Sequence, residues 1–185
     1  NHLNILFEGK VDKNENDESN YSFLARGLHW SFVILFAYGI YKQVDDINQL
    51  EDISLLRSEI IFAIVFLMFL AFRFFYMFKT QKTSLPSNTP KAQKLAAKIV
   101  HYSMYLSLSG IALSGLMIGY FYWLGYESGL LIEVIISIHE FFVQTIYWLI
   151  SMHIIAAIYH RFLNDGVWNS MVPFWKENQK NSQKN

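Results

Sequence analysis

Three histidines interrupt a long apolar stretch near the end of the chain, Ile138–Asn164. They are His139, His153 and His160, separated by 14 and 7 residues. On an α-helix these steps return within roughly 20–40° of one face and climb roughly 21 and 10 Å along the axis. Because neutral imidazole is a strong iron ligand and histidine is a common anchor for haem, the pattern predicts a helix that supports a b-type haem.

This histidine stripe also has a simpler explanation. A heptad spacing is typical of the packing seam of a helical bundle, where a single histidine is more often a hydrogen-bonded core residue than a ligand. Ionisable side chains inside a membrane helix are costly, however, and by default mark a functional site. Three of them on one face therefore favour ligation.

The composition limits the class of protein. The chain has 185 residues, enough for one domain, and 53% of them are apolar. A formal net charge of zero argues against nucleic-acid binding. Because the chain has no cysteine, it cannot itself form disulfides, iron–sulfur clusters or thiolate zinc sites. Any metal must then be held by His, Met, Asp or Glu.

Four apolar segments predict the architecture. Each approaches or exceeds the roughly 20 residues that span a bilayer as a helix, and none alternates like a barrel strand. We therefore expect an all-α membrane protein, a four-transmembrane-helix bundle in a lipid bilayer, over residues 21–172, with a polar arm at 1–20 and a polar tail at 173–185. The segments are Ser22–Tyr41, Ile60–Phe78, Ile99–Leu124 and Val134–Leu163.

The charges between the segments predict the orientation. Residues 79–98 carry five lysines and no acid, whereas residues 42–59 carry five acids against one lysine and one arginine. Since basic loops stay on the cytoplasmic side, we expect the 79–98 loop and both termini in the cytoplasm. The five lysines are Lys79, Lys82, Lys91, Lys94 and Lys98.

This topology places two histidines at a similar depth on different helices. His29 lies about two turns into the first segment, and His153 lies in the cytoplasmic half of the fourth. Two imidazoles that face each other across a bundle make a bis-histidine haem site. Arg73 and Arg26 are then candidates to pair with the haem propionates, although Arg73 is also explained as a cation that reaches the membrane surface.

Small residues on the first and third segments have two equally good explanations. They allow a flat macrocycle to approach the backbone, or they allow neighbouring helices to pack closely. The residues are Gly39, Ser109, Gly110, Ser114 and Gly115.

The order of these features resembles the bacterial cytochrome b-561 family, over residues 22 to about 172. That family includes small free-standing quinone-linked cytochromes and the membrane cytochrome subunits of nickel–iron hydrogenases and formate dehydrogenases. The features are Leu28-His29-Trp30 in the first segment, Arg73 late in the second, His101 with Tyr105 early in the third, and His139, His153 and His160 in the fourth.

The resemblance implies two b haems, one toward each membrane face. It implies His29 and His153 as ligands of the inner haem, and His139 as a ligand of the outer haem with a partner from the start of the second segment. No histidine lies between His29 and His101, and Glu59 stands about where that partner is expected. The outer haem is then lost, or bound through Glu59 or Met117, or completed by a neighbouring subunit. We favour its loss and expect one inner haem.

His101 and His160 lie toward the same face as the inner haem. In related cytochromes quinone chemistry takes place beside a haem near one membrane surface, where a histidine can pass a proton. A hydrogen bond to a propionate or a helix end explains either histidine slightly better. Arg161, Asp165 and Tyr105 are candidates for the same network.

The expected function is electron transfer by a cytochrome of the bacterial inner membrane. Ligation by two histidines leaves no open position on the iron and favours electron transfer over oxygen binding. We expect a quinone and a protein redox partner, with the chain as a subunit of a respiratory complex. The alternatives are a free-standing oxidoreductase that acts on quinone and also on superoxide, and a haem-free structural membrane subunit.

Overall fold

The computed structural model describes residues 21–44, 46–80 and 83–177, and within these ranges it contains helices and no strand. The expected arm at 1–20 lies outside the described residues. The elements in chain order are α1 (Phe23–Tyr41), a 3₁₀ turn (Ile47–Glu51), α2 (Ile53–Thr80), α3 (Lys91–Trp123), α4 (Leu130–Leu163) and the short α5 (Val167–Met171).

The four long helices are each long and apolar enough to cross a membrane, which confirms the predicted all-α transmembrane class. Three of them begin earlier than the apolar segments that predicted them. The difference is largest for α3, which starts at Lys91. The residue before it is Pro90, and the helix does not extend further toward the N-terminus because proline does not fit the interior of a helix. With 33 residues α3 is roughly 50 Å long, well beyond a hydrocarbon core of roughly 30 Å, so its first lysine-bearing turns extend past the apolar span.

The helix ends follow local sequence signals. Ser22 caps α1, because its hydroxyl accepts a hydrogen bond from the Ala25 amide at 3.1 Å. Helix α4 ends at Asn164, whose left-handed conformation (φ 53°) stops the helix, and Gly166 (φ 87°) then starts α5. The described chain continues to Glu177, past residue 172 where the membrane domain was expected to end.

The helices run up and down, so one end of the bundle gathers the starts of α1 and α3 with the ends of α2 and α4. We call this the lower end and the opposite one the upper end. A hydrogen bond of 3.1 Å between the Ser22 and Tyr76 hydroxyls joins α1 to α2 there. Gln93 Nε2 lies 3.5 Å from His160 Nε2 and joins α3 to α4.

Packing is uneven around the bundle. Helix α3 packs along both α2 and α4, and α1 packs mainly on α2, whereas the described parts of α1 and α4 make no extended contact. This leaves a seam between α1 and α4. The core of the bundle's middle is Phe32, Phe66, Leu70, Leu108, Ala112 and Ile146, and a second core at the upper end is Leu50, Leu56, Ile118, Tyr122, Ile132 and Ile135.

Candidate functional site

Three histidines from three helices meet in the lower half of the bundle. The ring centroids of His29 on α1 and His153 on α4 are 6.5 Å apart. His101 on α3 approaches His153 edge-on, with ring centroids 5.1 Å apart. His29 and His153 were expected at a similar depth, and the structure places them side by side at one level. His101 lies at that level too.

The separation of His29 and His153 is compatible with one metal atom between the rings. Imidazole nitrogen binds first-row transition metals at about 2 Å, so two imidazoles on one metal have centroids roughly 6 Å apart. The described ranges contain no group of three or more His, Asp or Glu side chains with the geometry of a bare metal-ion site. A pair of opposed imidazoles beside an open helix seam instead suits a metal that brings its own equatorial ligands.

Arg73 reaches this cluster from α2. Its Nη2 donates a hydrogen bond of 2.9 Å to His29 Nδ1, since a guanidinium has donors only. The Phe32 and Tyr105 rings flank the guanidinium carbon at 5.5 and 5.6 Å. The structure thus places Arg73 inside the bundle against a histidine rather than extended toward the membrane surface.

Two guanidinium nitrogens near this end of the bundle are buried and have no hydrogen-bond partner: Nε of Arg26 and Nε of Arg73. A buried donor without an acceptor costs free energy, so such donors in a native protein call for a partner. Carboxylates are the natural partners of guanidinium groups. The two orphaned donors therefore fit a cofactor that carries carboxylates, as haem does with its two propionates.

His101 is held in the tautomer that suits a metal ligand. Its Nδ1 lies 2.7 Å from the Ala97 carbonyl, which only accepts, so Nδ1 carries the proton and Nε2 keeps its lone pair. His101 is exposed at the edge of α3, whereas His29 and His153 are half-buried. It is therefore the member of the cluster that a molecule from the membrane reaches first.

His139 lies far from this cluster, in the upper half of α4. Its Nδ1 is 2.9 Å from the Ser114 hydroxyl, and that hydroxyl donates its single proton to the Gly110 carbonyl at 2.5 Å. His139 Nδ1 must then donate to Ser114, which leaves Nε2 unprotonated. A Cβ on Gly115 would lie 3.5 Å from the His139 ring, so α3 supports that ring closely.

The two alternative outer ligands within the chain are engaged elsewhere. Glu59 Oε1 forms an ion pair of 2.9 Å with Lys42 Nζ at the end of α1, and Lys42 also lies over the Phe62 ring at 4.7 Å. The Met117 side chain is 48% exposed on the outer surface of α3.

The glycines expected to admit a macrocycle accommodate side chains of neighbouring helices. A Cβ on Gly110 would lie 2.5 Å from the Phe142 ring, and one on Gly39 would lie 3.1 Å from the Phe62 ring. Ser114 bonds to His139 as described above. In this structure Gly39 and Gly110 therefore serve close helix packing, the second of the two explanations.

His160 lies at the lower end of α4 and is 8% exposed. Its Nδ1 is 2.6 Å from Asp165 Oδ2, and its Nε2 faces the Gln93 amide. The carboxylate accepts from Nδ1–H, so Nε2 is left to accept from Gln93. The expected neighbourhood of His160 and Asp165 is therefore present, whereas Arg161 turns away and holds the main chain of residues 175 and 176.

Sequence reasoning missed two partners of these histidines, Gln93 beside His160 and Ser114 beside His139. It also missed Lys42 as the partner of Glu59. A signal existed for Lys42, because it ends the first apolar segment at the same level at which Glu59 starts the next. No signal existed for Gln93 or for the hydrogen bond of Ser114, since both depend on how the helices are rotated about their axes.

The fold and this site define a class: a four-helix membrane protein with histidines from three helices and half-buried arginines in one half of its bundle. The family model described as prokaryotic cytochrome b561 matches residues 20–174, and the chain belongs to that family. It is thus a multi-pass bacterial membrane protein, a b-type cytochrome that binds haem and transfers electrons. Neither the curated proteins nor the solved structures gave a significant match.

Proposed function

We propose that this chain holds one haem between His29 and His153 and carries electrons between a quinone and a protein redox partner. The observation that carries the proposal is the 6.5 Å separation of these two ring centroids, on α1 and α4, which leaves room for one metal atom between them. His29 and His153 would hold the haem, and the bound haem would supply a one-electron couple. Such a site favours electron transfer over oxygen binding.

The role proposed for Arg73 requires one hydrogen bond to be exchanged. An imidazole that binds iron through Nε2 carries its proton on Nδ1. The bond from Arg73 to His29 Nδ1 and ligation through His29 Nε2 therefore exclude each other. If His29 bound the iron through Nε2, Arg73 would have to give up this bond, and its guanidinium would then be free, like that of Arg26, to bind a propionate.

The outer haem is proposed to be lost. Glu59 is paired with Lys42, Met117 is 48% exposed, and His139 is hydrogen-bonded to Ser114, so among the described residues we find no second ligand beside His139. A histidine from a neighbouring subunit remains the competing proposal, because His139 keeps an unprotonated Nε2 that is suited to a metal.

A quinone is proposed to react at the lower end, near His160 and His101. His160 is oriented by Asp165 in the way that a general base is oriented by a carboxylate. Its Nε2 faces Gln93 at 3.5 Å, so Gln93 would have to move aside before Nε2 could accept a proton from a quinol hydroxyl. The basic α2–α3 loop supports a cytoplasmic location for this end and for both termini. The host membrane is then the bacterial inner membrane, and the partner a subunit of a respiratory complex.

The haem content of the purified wild-type chain tests the proposal. A reduced-minus-oxidised spectrum, with pyridine haemochrome quantification, is expected to give a b-type band and one haem per chain. Two haems per chain would show that the outer site is complete, and none would favour a structural subunit. Adding a short-chain quinol under anaerobic conditions is expected to reduce the haem, whereas an oxidised spectrum with excess quinol would contradict the proposed electron donor.

A further inference from the structure

The segment after α4 folds back on itself through side chains that bind the main chain. We call residues 162–177 the C-terminal cap. Arg161 donates from Nε to the Trp175 carbonyl at 2.8 Å and from Nη2 to the Lys176 carbonyl at 3.0 Å. Trp168 Nε1 donates to the Phe174 carbonyl at 3.1 Å. The main-chain carbonyls of three successive residues, 174 to 176, thus accept hydrogen bonds from the side chains of Arg161 and Trp168.

Arg161 also holds a strained position in the cap. Trp175 has a φ of 50°, a left-handed conformation that is unusual for a bulky residue. The Arg161 guanidinium lies over the Trp175 ring at 4.8 Å while it binds the carbonyl of the same residue. Such a conformation persists where the surroundings determine it strongly, so the cap has one defined fold.

Further hydrogen bonds close the cap and attach it to the bundle. Glu177 is buried, its Oε2 accepts from the Gly166 amide at 2.7 Å, and its own amide donates to Asn169 Oδ1 at 2.8 Å. Trp30 Nε1 donates to the Met171 carbonyl at 3.0 Å. Because Trp30 follows His29 on α1, the cap bridges α4 and α1 at the lower end of their seam.

The outward face of the cap is aromatic. Phe162, Phe174 and Trp175 are 69%, 56% and 57% exposed. This face continues the exposed apolar surface of α4, where Ile155 and Tyr159 are 66% and 58% exposed on a helix that can span a membrane. Aromatic side chains concentrate where a transmembrane helix leaves the bilayer, and main chain without internal partners is disfavoured in lipid.

We propose that the C-terminal cap is an interfacial anchor. Its face of Phe162, Phe174 and Trp175 binds the boundary between lipid headgroups and acyl chains in the leaflet at the lower end, and thereby holds the cap against Trp30. The lipid is the chosen occupant because the face is continuous with the lipid-facing surface of α4. This proposal does not depend on the number of haems or on the quinone.

The absence of cysteine from the sequence allows a direct test with single spin labels in lipid nanodiscs. Labels replace Phe162→Cys or Phe174→Cys, with Asn88→Cys in the lower loop as the aqueous control and Met68→Cys on the exposed face of α2 as the lipid control. We expect the two cap labels to collide more often with oxygen than with a nickel chelate, as at Met68. A chelate preference like that of Asn88 would overturn the proposal, as would protection from both reagents, which indicates a protein or a second copy on this face.

A second pair of variants tests the anchor's internal support. Arg161→Gln removes the bonds to the Trp175 and Lys176 carbonyls and is expected to move the Phe174 label into the chelate-accessible phase. Arg57→Gln, at an exposed position in α2 at the other end, is expected to leave the label where it is. An unchanged label depth in the Arg161→Gln chain would show that the cap does not hold its face in the lipid through this residue.

Discussion

The lower and upper halves of the bundle each contain histidine, but they surround it differently. In the lower half His29, His101 and His153 converge from three helices, with Arg73 bonded to His29 and two guanidinium nitrogens left without acceptors. In the upper half His139 is alone, satisfied by Ser114, while the nearest acid on α2 is paired with Lys42. Glu59 Oε1 is also buried without a hydrogen bond, but the Lys42 ammonium lies 2.9 Å away and balances its charge, whereas no anion in the described residues balances the two lower guanidinium groups in this way.

This difference teaches that a family's histidine pattern alone does not define a haem site. His139 and His153 lie on the same helix and have the same imidazole chemistry. Within the part of the chain that the structure describes, His153 differs by having a second imidazole 6.5 Å away and two unpaired guanidinium nitrogens at its end of the bundle. The predictions below are ordered by the size of the expected effect on this contrast.

Replacing the lower histidines is expected to have the largest effect. His29→Ala or His153→Ala removes one of the two proposed ligands and is expected to abolish haem binding. The haem-to-protein ratio is then expected to fall at least about tenfold, which corresponds to a loss of about 1.4 kcal/mol or more of binding free energy. His139→Ala is the matched control on α4 and is expected to keep the wild-type ratio. Equal loss in the His139 and His153 variants would remove the proposed distinction between the halves.

Replacing Arg73 is expected to lower the haem midpoint potential. In Arg73→Gln a positive charge near the haem is lost, which stabilises the oxidised form. Only the part of the Arg73 interaction that differs between reduced and oxidised haem shifts the potential. A charge-assisted hydrogen bond is worth about 1.5–3 kcal/mol in all and a tenfold change in a one-electron equilibrium is about 59 mV, so we expect a fall of up to roughly 130 mV.

Two comparisons make the Arg73 result specific. Arg73→Lys is expected to recover part of the potential, because it keeps the charge but loses the bidentate geometry. Arg57→Gln, exposed and at the upper end, is expected to leave the potential near wild type. If a spectroelectrochemical titration gave the same midpoint potential for the Arg73→Gln chain and the wild type, Arg73 would not lie near the haem.

A glycine pair tests whether small residues of the third helix serve side-chain packing. Gly110→Ala would place a Cβ 2.5 Å from the Phe142 ring, so thermal unfolding of the chain is expected to show a destabilisation of about 1–3 kcal/mol. Gly27→Ala, where a Cβ meets nothing within 4 Å, is expected to stabilise α1 by up to about 1 kcal/mol. Full stability of the Gly110→Ala chain would mean that this gap is not filled by Phe142.

The smallest effect is expected for Ser114→Ala in the upper half. It removes the acceptor for His139 Nδ1 and is expected to cost about 1 kcal/mol of stability while the haem spectrum stays unchanged. Isothermal denaturation together with the visible spectrum of the same sample measures both. A spectral change without loss of the lower haem would indicate that His139 also contacts a haem.

Much of the architecture was predictable from the chain. Apolar length predicted four transmembrane helices, because a spanning helix must satisfy its own main chain in lipid. The helix starts were less predictable, since α3 continues through Lys91, Lys94 and Lys98 beyond the apolar run. Hydropathy reports where a helix is buried in lipid and not where it begins.

The site was predictable in part for a related reason. Depth along each helix follows from residue number, and this was enough to pair His29 with His153. The rotation of each helix about its axis does not follow from one sequence, so the approach of His101 to His153, the bond from Ser114 to His139 and the pairing of Glu59 with Lys42 were not foreseen. The hydrogen bonds from Arg161 to the main-chain carbonyls of residues 175 and 176 could likewise be found only from the folded structure.

An experimental density map of the haem-loaded protein in lipid tests the central claim most directly. We predict a single porphyrin in the seam between α1 and α4, with its iron bonded to His29 and His153 and with Arg73 turned away from His29 toward a propionate. A porphyrin bound at His139, or side chains and lipid filling the space between the two lower rings, would contradict the account.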